Sequence, residues 1–209
     1  MNVRFGKIPS SGDITSLNSV TFSNSVFQGN TGGVLVFALA SSVLARHSSM
    51  VNFVNCLWFD NFGRYSPAVD LSPYRFDEQA SGFLPIPIFI NCTFAYNRIV
   101  NTKQNHTLYI NAGVFVITHF QVEFSGCTRL INYSLTALYI MWGRAIFQEK
   151  SHVYFINNMG IRGGAVVIYG FSTFGINDNS NFMFSGNNAK AVGGGIYYES
   201  TEQRECFEG

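Results

Sequence analysis

The chain has 209 residues, of which 16% are aromatic, including 21 Phe, and only 12% are charged, about half the usual charged share of a soluble domain. Its net charge of +1 leaves no electrostatic footprint for nucleic acid or an anionic membrane, so neither is an expected partner. The longest apolar run, Val34 to Ala40, falls far short of the roughly 18 residues of a membrane span, so no membrane insertion by this segment is expected.

In chain order, the residues after Met1, NVRFGKIPSSGDITSL, carry no apolar h-region or small-residue cleavage site, and no signal peptide is read in this segment. A repeat then begins. Aligned on one Phe, it reads VTFSNS around Phe22, VNFVNC around Phe53, PIFINC around Phe89, VEFSGC around Phe124, VYFINN around Phe155 and FMFSGN around Phe184. The intervals between these Phe are 31, 36, 35, 31 and 29 residues. A fixed period of this size marks a solenoid. Gly32-Gly33-Val34, Gly163-Gly164-Ala165 and Gly194-Gly195-Ile196 supply a second marker, each opening an apolar run.

Each unit is expected to hold three short strands. In the clearest, VVIY at 166–169, STFGI at 172–176 and NFMF at 181–184 are apolar or alternating, with turn-forming residues at 177–180 between the last two. No helical stripe competes with this reading. The pattern predicts an all-β fold, a right-handed single-stranded parallel β-helix of about five to six rungs, forming a single domain over 1–209. Parallel crossovers are right-handed in about 98% of cases, which sets the expected hand.

Two residues after the aligned Phe stand Asn24, Asn55, Asn91, Gly126, Asn157 and Gly186. Only Asn and Gly occur there, the two types that enter the left-handed backbone region most readily, so a fixed left-handed corner is expected. One residue further come Ser25, Cys56, Cys92, Cys127, Asn158 and Asn187. This compact set reads as an inward-facing ladder, with Cys56, Cys92 and Cys127 as buried free thiols stacked in register and Cys206 outside the repeat. Asn30, Asn61, Asn97 and Asn132 follow apolar residues and are expected to bond from rung to rung.

Departures from the repeat fall in the second unit and at the end. Residues 63–85 read as an insertion, and 199–209 as an uncapped tail, so that the chain is expected to be a piece of a longer protein. Asp70, Arg75, Asp77 and Glu78 concentrate charge in the insertion and read as a surface loop. Asp178, in NDN, reads as an ordinary turn residue with no second carboxylate one rung away. His47, His106, His119 and His152 show no metal-ligand spacing, so no metal is expected. The glycine pairs lack the Lys of a phosphate-binding loop, and no cofactor is expected. Asn91, Asn105 and Asn132 match the glycosylation acceptor pattern, Asn105 being the best placed because it lies in the polar stretch NTKQNHT.

The tetrads FQGN at 27–30, FAYN at 94–97, FINN at 155–158 and FSGN at 184–187, with GGV, GGAV and GGGI, resemble repeats of the polymorphic outer membrane proteins of chlamydiae. FINCTFAYN resembles repeats of eukaryotic pectin-lyase-like proteins. The resemblance implies a parallel β-helix in a secreted or surface-exposed protein, often serving adhesion. A non-catalytic scaffold that binds a protein or a glycan is therefore the expected function. The alternative is a fragment of a polysaccharide lyase or hydrolase whose catalytic residues are missing or lie in 63–85, and carboxylates aligned on adjacent rungs would favour it.

Overall fold

The structure, a computed structural model, describes residues 19–31, 35–36, 50–63, 66–71, 86–99, 113–118, 121–132 and 135–200. The described residues are β-structure in which every pairing is parallel. Three six-stranded sheets run along a parallel β-helix. The first sheet is made of Ser19–Ser23, Met50–Val54, Ile86–Ile90, Gln121–Ser125, Arg144–Phe147 and Thr173–Ile176. The second contains Val26–Gln28, Leu57–Phe59, Thr93–Ala95, Cys127–Ile131, His152–Ile156 and Asn181–Ser185. The third contains Leu35–Val36, Val69–Leu71, Gly113–Thr118, Thr136–Met141, Val166–Tyr169 and Ile196–Glu199. Two small sheets lie between the second and third: Phe62–Gly63 pairs with Arg98–Ile99, and Met159–Arg162 pairs with Asn188–Val192. The described residues thus make six rungs, each adding one strand to each main sheet.

Alternation along each strand sends every second side chain inward, and stacking turns these into columns. In the first sheet Phe22, Phe53, Phe89, Phe124 and Phe147 lie in register. Their ring centroids are 5.1 Å (Phe22–Phe53), 4.9 Å (Phe53–Phe89), 5.6 Å (Phe89–Phe124) and 4.9 Å (Phe124–Phe147) apart. The expected neighbours Phe53, Phe89 and Phe124 are therefore adjacent in one buried column. A second column in the second sheet runs Phe27, Trp58, Phe94, Leu130, Phe155, Phe184. The two columns meet edge to face in the core, as at Phe53–Trp58, 5.3 Å and 65°.

This corrects the repeat. Phe155 and Phe184 do not continue the column of Phe124; they belong to the second sheet, one strand later, and Phe147 takes the first-sheet position. The misassignment has a local cause. Both sheets end a strand with an inward Phe and turn two residues later on a left-handed residue, so the motif around Phe155 looks like the motif around Phe124. The corner residues themselves are as expected, with φ of 50° at Asn24, 53° at Asn55, 52° at Asn91, 64° at Gly126, 54° at Asn157 and 64° at Gly186. The first four serve the corner from first to second sheet, the last two the corner after the second sheet.

Realigned, Asn158 and Asn187 leave the small-residue column and extend the Asn ladder. The Asn30 backbone N–H and Nδ2 donate to Asn61 Oδ1 at 3.0 and 2.9 Å, and those of Asn61 donate to Asn97 Oδ1 at 3.1 and 2.8 Å. The Asn97 N–H donates to Asn132 Oδ1 at 3.0 Å, and the Asn132 N–H to Asn158 Oδ1 at 2.9 Å. The N–H and Nδ2 of Asn158 donate to Asn187 Oδ1 at 3.0 and 2.8 Å. Each Nδ2 from Asn61 onward also reaches a carbonyl of the preceding rung, at Phe27, Trp58, Phe94, Leu130 and Phe155. Asn61, Asn97, Asn132 and Asn158 are fully buried, and the ladder satisfies them.

Two further expectations shift. Val69–Leu71 is a strand of the third sheet with Val69 and Leu71 buried, so Gly63 and residues 66–71 belong to the second rung and not to an insertion; residues 64–65 and 72–85 lie outside the described residues. The thiol ladder is shorter than expected. Cys56 and Cys92 are buried and free, donating to the Phe22 and Val54 carbonyls and to the Phe53 and Ile90 carbonyls at 3.4 Å. Cys127 is half-buried, because Arg129 pairs with Thr93 while Ser125 pairs with Ile90, which leaves one extra residue in the fourth rung's corner. Thr128 fills the buried slot instead, its hydroxyl without a hydrogen-bond partner.

This geometry has a chemical consequence. The Cys92 thiol is pushed up to about 12 from an ordinary 9.0, first by burial; the backbone of Cys56 and Ile90 opposes the rise, and the Cys56 thiol adds to it. Because the folded value is raised, the contribution to stability is complete below about pH 9 and is lost as pH climbs from there toward about 12. Alkylation of the native protein at pH 8.5 is therefore expected to modify Cys127 and spare Cys56 and Cys92 until denaturant is added. A Cys56–Cys92 disulfide in a non-reduced peptide map would overturn this reading.

Candidate functional site

The sequence-predicted acceptor residues separate cleanly. Asn132 is fully buried with its amide nitrogen on the Phe94 carbonyl, so the described fold leaves no room for a glycan there. Asn91 is exposed on the first corner, but its side chain is engaged at both ends, donating to Asn55 Oδ1 at 3.3 Å and accepting the Cys127 N–H at 2.8 Å. Asn105 lies outside the described residues, as do His47, His106, His119 and Arg75, Asp77 and Glu78. His152 is exposed and paired in register with Asn181.

One carboxylate pair escaped the sequence reading. The turns Gln148–Ser151 and Asn177–Ser180 have the same length between strands that pair Phe147 with Ile176 and His152 with Asn181. Glu149 and Asp178 therefore occupy equivalent positions on adjacent rungs, contrary to the expectation for Asp178. The signal was the 29-residue spacing of QEKS and NDNS, hidden while the fifth rung was aligned on the wrong Phe. Both residues stand at exposed turn tips, with Lys150 between strand and carboxylate in the same turn. Of the other described carboxylates, Glu123 accepts from Gln121 and Gln148 between the column neighbours Ile88 and Ile146, Glu199 pairs with Arg162 and Tyr197, and Asp60 pairs with Arg98, while Asp70 lies not in a surface loop but in the third-sheet strand Val69–Leu71, in register with Val36 and Val116.

A different corner holds the most unusual backbone. At the turn from third to first sheet, Gly170 adopts φ 68° on the fifth rung, and the aligned position on the fourth rung is Trp142, at φ 55°. A bulky residue in the left-handed region is an outlier that costs of order 1–3 kcal/mol. The missing Cβ of Gly170 makes room for the indole, whose ring atoms lie 3.1 Å from where that Cβ would be. Phe171, 73% exposed, stands 5.6 Å from the indole at 49°. Ser172 fixes the turn by donating to the Tyr169 carbonyl at 2.6 Å and accepting the Gly143 N–H at 3.3 Å. The corner thus presents two aromatic rings from neighbouring rungs on a braced backbone. Tyr96, at φ 57° and 43% exposed, is a second such case, packed edge-on against Phe59 at 5.4 Å.

On the outer faces, each described Arg–aromatic contact joins different rungs: Arg98 over Phe62 at 4.9 Å, Arg129 over Tyr154 at 5.6 Å and Arg162 over Tyr197 at 5.4 Å. These cations cover rings and bind the rungs together. Nothing in the sequence pattern singled out Trp142, since aromatic residues are common throughout and left-handed corners were sought only at Asn and Gly. No family model matches the chain, nor does any curated protein or solved structure.

Proposed function

We propose that this chain is a non-catalytic scaffold or adhesion-type repeat region of a secreted or cell-surface protein, and that its side recognises a glycan or protein through the corner of Trp142 and Phe171. The observation that supports this is the strained backbone of Trp142. Two apolar rings from neighbouring rungs, held on a braced turn, offer an exposed aromatic surface at low entropic cost on binding. The enzyme reading draws support from Glu149 and Asp178 on adjacent rungs. Against it, a general acid must keep its proton near neutrality, which burial favours, and both carboxylates stand at exposed tips.

The test is binding of the labelled chain to an array of neutral, acidic and sulfated oligosaccharides and to intact cells, comparing wild type with Trp142→Asn. Asparagine tolerates the left-handed backbone, so the variant is expected to match or exceed wild-type thermal stability. Binding should weaken at least tenfold, about 1.4 kcal/mol. Undiminished binding by Trp142→Asn defeats the platform. Release of reducing ends or unsaturated uronides, abolished by Glu149→Gln or Asp178→Asn, establishes the enzyme instead.

A further inference from the structure

The corner of Trp142 and Phe171 differs between its two rungs by one residue. Trp142 and Gly143 join Met141 to Arg144, whereas Gly170, Phe171 and Ser172 join the register partners Tyr169 and Thr173. Gly170 takes the place of Trp142, and the Thr173 N–H still donates to the Gly143 carbonyl at 2.9 Å. The surplus residue has to leave the rung, and Phe171 does so, 73% exposed. The backbone itself thus carries both rings outward, one by a left-handed turn and the other by an extra residue.

A cation stands beside them. Arg144 opens the next strand two residues after Trp142, which places its Cα within about 7 Å of the Trp142 Cα. Ala145 and Phe147 fill the core, so Arg144 faces outward, and it is exposed. The other described Arg residues, Arg98, Arg129 and Arg162, each lie over a ring of another rung, and Arg98 and Arg162 also hold a carboxylate. Among the described residues, Arg144 has no ring contact, hydrogen bond or ion pair. The carboxylates on the adjoining strands are occupied. Both oxygens of Glu123, two residues beyond the register partner Gln121, accept from Gln121 and Gln148, and Glu199, in register with Tyr169, is held by Arg162 and Tyr197. A guanidinium left unpaired beside exposed rings offers a planar fork to a carboxylate or a sulfate.

We infer that the ligand of this corner is an anionic glycan, a sugar whose apolar face rests on the rings while its carboxylate or sulfate pairs with Arg144. This rests on the aromatic corner being the binding site. The rings and the cation sit on turns of two and three residues, the reach of a short oligosaccharide, whereas a stable protein interface takes about 800 Å2 of each partner.

The full chain is titrated with sets of oligosaccharides that share one neutral parent, such as lactose, sialyllactose and sulfolactose. Wild type is expected to bind a charged member at least tenfold more tightly than its parent, and the advantage should shrink as salt is raised. Preference for either the carboxylated or the sulfated member supports the inference and names the group. Arg144→Gln should remove the advantage and leave affinity for the neutral parent unchanged, with Arg144→Lys between the two. Far-UV circular dichroism and an unchanged melting temperature report retention of the fold in these exposed-site variants. Loss of binding in Trp142→Asn with no effect of Arg144→Gln overturns the anionic ligand and leaves the aromatic corner standing. Charge-dependent binding that Trp142→Asn does not weaken removes the corner, and the inference with it. Binding to none of the sets, or only to an acidic peptide of alternating Glu and Gly, excludes a glycan and overturns the inference.

Discussion

Phe89→Ala is expected to lower the stability by about 3–5 kcal/mol, the range for emptying a buried aromatic site that cannot collapse. Phe89 is fully buried with five aromatic neighbours: Phe53 at 4.9 Å, Trp58 at 5.6 Å, Phe94 at 5.8 Å, Phe115 at 5.0 Å and Phe124 at 5.6 Å. These rings come from all three main sheets and from the rungs on either side, so no single segment can relax into the void without disturbing another. Phe22→Ala provides the comparison. It heads the same column, is only half-buried and has Phe53 and Phe27 as its aromatic neighbours, so its loss is expected to be less than half as large. Urea unfolding with unchanged m-values reads both differences. Equal costs at the two positions would mean that the column does not carry the core as described.

The architecture was legible because its determinants are local and repeat. An inward Phe every rung, a left-handed residue two positions later and an Asn closing the next strand are short-range requirements, and a parallel coil imposes them at each turn. What was not legible is which corner a motif serves. Around Phe124 and Phe155 the same physics acts at different corners, and the chain takes only 23 residues from Phe124 to Phe147 where it takes 35 from Phe89 to Phe124. The tetrads FQGN, FAYN, FINN and FSGN were in true phase all along, and the Phe alignment was not. A tetrad includes the ladder Asn, which only one corner requires, and so carries more information than a Phe and a bend.

The candidate site was less legible for a related reason. Glu149 and Asp178 become neighbours only when the register is right, and the register followed from pairing across rungs. Trp142 has no sequence signature, since nothing short of the backbone reveals that it sits where the next rung uses Gly170. Cys127 shows the limit of counting along one strand. A single extra residue in the corner moved it out of the slot that Cys56 and Cys92 occupy, and put Thr128 there.

Asn97→Leu is expected to cost about 3–6 kcal/mol, although leucine is apolar and close in volume. Asn97 accepts from both the N–H and the Nδ2 of Asn61 and donates to the Trp58 carbonyl at 3.1 Å, all inside the core. Leucine leaves the Asn61 N–H and the Trp58 carbonyl without these partners, each at about 1–3 kcal/mol with incomplete additivity, and takes one of its two acceptors from the Asn61 Nδ2, which keeps the Phe27 carbonyl. Packing alone would predict a small change, so the size of the loss separates a ladder from a spacer. Asn97→Asp sharpens the distinction through its pH dependence. A carboxyl there can accept both Asn61 donors in either state, but only its protonated form can also donate to the Trp58 carbonyl, and burial likewise favours the neutral form. Its folded pKa is thus raised above its unfolded value, so the variant should come closest to wild type in acid and fall away as pH rises through the folded value. Chemical denaturation of both proteins between pH 3 and 8 measures this, and a difference that does not vary with pH would remove Asn97 from the ladder.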